Sequence, residues 1–110
     1  MSNFTFTPIA SEEFNDKVIR RNINAVLKIT TNWSGASHIV SPLIDELAQQ
    51  FAGKIEFYVV DFDNDPNVRR YYEVNIFPTL LFFRQGVLVD QLSGVFHKSI
   101  LNERLQSIIR

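Results

Sequence analysis

The stretch Trp33-Ser34-Gly35-Ala36-Ser37-His38-Ile39-Val40-Ser41-Pro42-Leu43-Ile44-Asp45-Glu46-Leu47-Ala48 organises the whole chain. Ile39, Val40, Leu43, Ile44, Leu47, Ala48 and Phe51 recur at helical spacing on one apolar face, and Gly53 stops the run. Pro42 sits inside this helix, where it must remove one backbone hydrogen bond and kink the axis. The helix lies between two apolar, β-branched runs, Ala25 to Thr31 before it and Ile55 to Phe62 after it, which read as buried strands.

Moving outward, Phe4-Thr5-Phe6 alternates as a short edge strand, and Ser11 followed by Glu12 and Glu13 reads as a capped helix start running to about Arg21. Beyond the centre, Asp65-Pro66 reads as a cap with proline at the first helical position, opening a short helix to about Tyr72. Thr79 to Phe83 and Val87 to Leu92 read as strands joined at Gln85-Gly86, with the glycine taking positive φ. Ile100, Leu101, Leu105, Ile108 and Ile109 give a closing helix one apolar face. The order β-α-β-α-β-α-β-β-α predicts an α/β fold, a central mixed sheet flanked by helices on both faces. Residues 1–110 form one domain on this reading.

Composition narrows the chemistry. The formal net charge is −1, so no global field attracts nucleic acid or anionic lipid. Arg69-Arg70 beside Tyr71-Tyr72 is too small a cluster for a nucleic-acid footprint. No apolar run approaches the ~18 residues of a membrane span. Met1 to Ile9 has no signal-peptide pattern, which leads to the expectation of a cytoplasmic protein. The chain contains no cysteine, which excludes disulfides, thiolate metal sites and cysteine nucleophiles. With His38 and His97 as its two histidines, neither a metal site nor a cofactor is expected.

From about Phe14 onward the chain resembles thioredoxin. The landmarks are Trp33-Ser34-Gly35-Ala36-Ser37 against the family's W-C-G-P-C, Ser41-Pro42 to Ala48, Val60-Asp61 to Pro66, Ile76-Phe77-Pro78-Thr79 to Phe83, Gly86 and Gly94, in the family's order and spacing. The resemblance implies the thioredoxin fold. It also implies a cis peptide bond at Pro78, facing the active-site segment.

The departures bear on function. Ser34 and Ser37 stand at the two redox-cysteine positions of the family, Ala36 at the proline between them, Lys28 at its buried acid, Thr30 at a tryptophan and Val59 at a lysine. Disulfide exchange needs a thiolate that attacks and a thiol that leaves. A helix N-terminus can bring a cysteine into the physiological range, but a serine hydroxyl ionises far too high. Nucleophile, resolving group and acid–base partner have thus changed together. An engineered Cys→Ser pair would have left the proline and the acid in place.

Two site readings follow from the residues. Ser34 with His38 four residues on could form a nucleophile–base pair, but no third group to orient the histidine is visible. More simply, Ser34 caps the helix and Ser37 bonds back to an earlier carbonyl. Lys28 alternates with Val26 and Thr30 on a central strand, so it needs a partner or must lose its charge, and Asp61 on the neighbouring strand is the expected partner. Trp33, Phe77 and Val95 are expected to form an apolar rim beside Gly94. The predicted binding groove is Trp33, Ser34, Gly35, Ala36, Phe77, Pro78, Gly94 and Val95, receiving an unidentified protein or an extended peptide by strand addition. The expected function is a non-redox, chaperone-like binding module, monomeric or weakly dimeric, with no nucleic-acid or membrane partner. The alternatives are a disulfide oxidoreductase of the family's kind and a purely structural subunit.

Overall fold

A computed structural model describes residues 6–110. Its elements are β1 (Phe6–Pro8), α1 (Ser11–Phe14), β2 (Ala25–Thr30), α2 (Gly35–Gln50), β3 (Glu56–Asp61), β4 (Thr79–Arg84), β5 (Val87–Ser93) and α3 (Lys98–Ile109). A π-helical segment, Asn15–Ile19, continues α1, and Pro66–Arg70 forms a 3-10 turn. The five strands make one sheet in the order β1-β3-β2-β4-β5. β3 pairs in parallel with both β1 and β2, while β4 runs antiparallel to β2 and β5 antiparallel to β4. The mixed sheet and its flanking helices agree with the expected architecture.

Alternation along the central strands sends side chains to two cores. Val26, Phe57, Leu80 and Phe82 pack under Val40, Ile44 and Leu47 of α2 and Leu101, Leu105 and Ile108 of α3. Leu27, Ile29, Val60, Leu81 and Phe83 pack on the other face with Phe14, Val18 and Val68. Strands buried on both faces read as continuous apolar runs, which is why β2 and β4 stand out in the sequence.

Local chemistry revises three expectations. Of the expected first strand, Phe4 and Thr5 lie outside the described residues, and the observed strand begins at Phe6 at the edge of the sheet. Ser11 is not a cap but the first helical residue. Its N–H and its Oγ–H both donate to the carboxylate of Asp65, at 2.7 and 2.9 Å. Asp65, spent on Ser11, makes no cap bond to its own turn. The 3-10 turn that follows is therefore tied to α1 rather than capped.

The β4–β5 hairpin turns on two residues of positive φ, Gln85 (50°) and Gly86 (84°), the pair a type I′ turn requires. Asn24 Oδ1 accepts from Gln85 N at 2.8 Å and steadies the non-glycine member. A Cβ at Gly86 would lie 2.6 Å from the Ile19 carbonyl, so only glycine lets the hairpin sit on the π-helical segment.

Candidate functional site: a groove at the start of α2

At the carboxyl ends of β2 and β3 the chain leaves the sheet toward opposite faces. β2 leads into α2 and β3 leads to the 3-10 turn. Such a divergence opens a crevice at the end of an α/β sheet, and it is here that the structure gathers Trp33, Ser34 and Phe77.

Ser34 is the N-cap of α2. Its extended backbone (φ −87°, ψ 117°) turns the side chain back, and its Oγ accepts from Ser37 N at 3.2 Å. The same hydroxyl donates to the carbonyl of Phe77 at 3.0 Å, joining the helix start to the Phe77–Pro78 segment. The Phe77–Pro78 peptide bond is cis, and Gly94 N–H donates to Pro78 O at 3.0 Å. Ser37 is 5% exposed and its Oγ has no partner among the described residues. The expected bond from Ser37 back to an earlier carbonyl is therefore absent.

The surface beside the start of α2 is aromatic. Trp33 is 69% exposed and stands edge-on to Phe77, ring centroids 5.5 Å apart. Phe77 itself is buried and stacks on Phe62 at 5.0 Å, while the Arg69 guanidinium covers Phe62 at 4.6 Å. Phe77 is thus floor and not rim. The exposed apolar side chain on that side is Ile76 (58%), with Val95 (61%) beyond Gly94. Gly94 holds φ at 77°, and the space where a Cβ would stand lies 3.7 Å from Ile76 Cγ2. Gly35 is exposed and Ala36 half-buried at the mouth.

Asp63 fixes the tryptophan. Its two oxygens accept from Asn32 N and from Trp33 Nε1, each at 2.9 Å. Neither Asp63 nor Ile76 was singled out in the sequence. For Ile76 the signal available was its place beside a buried Phe77. For Asp63 nothing local sets it apart from Asp61 and Asp65.

The expected Lys28–Asp61 pair does not form. Lys28 is in register with Val59, two residues short of Asp61. The Asp61 carboxylate is taken up by its own turn, accepting from Asp63 N at 3.0 Å and Asn64 Nδ2 at 2.8 Å. Lys28 points under α2 instead, with Nζ 3.6 Å from Asp45 Oδ1 and 4.3 Å from the centre of the Phe6 ring. Burial pushes its ammonium below the ordinary lysine range, and Asp45 pulls it partly back.

Chemically, the site offers surfaces and donors rather than a nucleophile. Ser34 Oγ is engaged at Phe77 O and Ser37 N. His38 Nε2 lies 3.0 Å from Asn32 O, turned to a carbonyl rather than to Ser34. No group of three or more metal-ligating side chains occurs among the described residues. No helix among them is long and apolar enough to cross a membrane.

The family model for thioredoxin matches residues 5–107. The M-type chloroplastic thioredoxin of Pisum sativum is 31% identical over 101 residues, which span 92% of this chain and 59% of the pea protein. Thioredoxin 1 of Nostoc sp. is 31% identical over 89% of this chain and 92% of its own length. The thioredoxin of Synechocystis sp. is 29% identical over 94% of this chain and 97% of its own.

Proposed function

Because the chain belongs to the thioredoxin family and contains no cysteine, we propose that it is a redox-inactive, chaperone-like member that binds a protein or an extended peptide without reacting with it. The observation that carries this reading is the exposed apolar set Trp33, Ile76 and Val95 around Phe77-Pro78 in a chain without a thiol. Exposed apolar side chains gathered at one place mark contact surfaces. The backbone supports the same reading. Phe77 N–H has no acceptor among the described residues, and the N–H groups of Gly35 and Ala36 lie in the unpaired first turn of α2. An extended peptide laid along Phe77 would supply the missing acceptor, as in strand addition.

The test is binding of this chain to an array of overlapping peptides. The wild type is expected to retain a subset of apolar, extended sequences, and Trp33→Ala and Ile76→Asp to lose them. Equal retention by Ile76→Asp would show that the contact surface lies elsewhere. Membership of the thioredoxin family raises a second reading, disulfide reduction. Without a thiol the expected insulin-disulfide reduction is the reductant's own rate, and turnover abolished by Ser34→Ala would overturn the proposal.

A further inference from the structure

The two edges of the sheet are finished differently. β1 is three residues long and closes at Pro8, which has no N–H to give a further strand. β5, at the other edge, is seven residues long and contains neither proline nor lysine. Its first three residues are apolar and open to solvent: Val87 is 62% exposed, Leu88 44% and Val89 51%. Arg84 and Val87 pair beside the two-residue turn, so their N–H and C=O groups face each other and those of Leu88 face away from the sheet. Of the usual protections of an edge, β5 has a bulge: Phe82 pairs with Asp90 and Phe83 with Leu88, which leaves Val89 unpaired. That extra residue is itself apolar and exposed.

From this edge we propose that β5 pairs antiparallel with the β5 of a second copy of this chain, in a weak two-fold dimer centred on Leu88. Free backbone groups facing outward from a sheet are met by another extended strand. A two-fold contact must be complementary to itself. Centred on Leu88, it sets Leu88 against Leu88 and Val87 against Val89, apolar on apolar throughout. The one charge of the strand, Asp90, then falls opposite Gly86, and Arg104 of its own chain holds it at 2.7 Å, so no bare like charges meet. The formal net charge of −1 leaves little repulsion between whole copies. Farther along, Asp90 Oδ1 accepts from Gln91 N at 2.8 Å, which ends the open stretch. So short a contact falls below the area of a stable dimer, so the association is weak and depends on concentration. The proposal does not rest on the groove reading.

The experiment is sedimentation equilibrium of the full chain between about 10 μM and about 1 mM, a range that spans weak association. The mean mass is expected to climb from that of one chain toward that of two. Leu88→Lys and Val89→Lys set charges into the contact and are expected to weaken association about tenfold or more. Ile76→Asp, in the groove, is expected to associate as wild type does. Amide exchange at Leu88 is expected to slow as wild type is concentrated, because its N–H gains an acceptor in the dimer. A wild type that stays a single chain at about 1 mM would overturn the proposal. So would association that both lysine variants keep, or that Ile76→Asp loses, which would place the contact at the groove. Exchange at Leu88 independent of concentration would overturn the strand pairing. If one lysine variant does not fold, the other and the exchange measurement decide.

Discussion

Lys28 Nζ lies 3.6 Å from Asp45 Oδ1, a bond between the central strand β2 and the helix α2 that covers it. The resemblance places an acid at position 28 and a lysine at 59. Here the register sets Lys28 beside Val59, so the neighbouring strand supplies no charge, and the helix answers the lysine instead. The Phe6 ring adds a cation–π contact at 4.3 Å. The two partners are unequal: the Lys28 side chain is nearly buried, whereas that of Asp45 is 48% exposed.

That inequality predicts an asymmetric response to mutation. Lys28→Met removes a buried ammonium and leaves Asp45 hydrated, so stability is expected to hold or rise by about 1 kcal/mol. Asp45→Asn strands the ammonium and is expected to cost about 1–2 kcal/mol, less than for a fully buried pair because Asp45 is half in solvent. Urea unfolding of the two variants checks the order. Lys28→Met less stable than Asp45→Asn would contradict the assignment of the penalty to Lys28.

Alkaline pH gives the same question a sign. Lys28 is held below its unfolded value of 10.5, chiefly by burial. In the window between its folded pKa and 10.5 the unfolded chain binds more protons, so this residue makes stability rise with pH. Tyr58, pushed up to about 12 by burial and by Glu56, and Tyr72, pushed up by burial, act oppositely. Both contributions are fully present below about pH 10; that of Tyr58 is lost as pH climbs toward about 12, and that of Tyr72 as pH rises through its own raised value. Unfolding midpoints across this range should show wild type gaining on Lys28→Met up to about pH 10.5, with both falling beyond. Parallel curves throughout would show that Lys28 does not titrate differently on folding.

The serines at the two redox-cysteine positions are expected to answer alanine differently. Ser34→Ala loses the cap of α2 and the bond to Phe77 O, a cost of about 1–2 kcal/mol. Ser37→Ala removes a buried hydroxyl with no partner among the described residues, and is expected to be neutral or to stabilise by up to about 1 kcal/mol. Thermal unfolding of both variants decides. A marked loss in Ser37→Ala would mean that this hydroxyl has a partner in solution.

The strands, α2 and the hairpin could be read from the sequence because each rests on a local pattern: apolar runs, helical spacing around Pro42, and Gln85-Gly86. The groove could be read in part. Trp33, Ser34 and Pro78 stand out by type and by spacing. Their partners do not, because pairing depends on where a carboxylate points. Asp61, Asp63 and Asp65 alternate in one short stretch, yet one closes its own turn, one holds Trp33 and one anchors Ser11. Lys28 illustrates the same limit, since its acid comes from the helix above rather than the strand beside it. Phe77, expected on the rim, is buried as floor, and Ile76, of which nothing was expected, is the exposed side chain on that side.

The central claim is that this groove binds without reacting, and peptide affinity of the Ile76→Asp variant tests it most directly. Ile76 is exposed and its side chain makes no hydrogen bond, so the substitution is expected to leave stability within about 0.5 kcal/mol. Set beside wild type on the array peptide that wild type holds best, Ile76→Asp should lose binding while keeping the same unfolding midpoint. Binding undiminished in a folded Ile76→Asp variant would contradict the account.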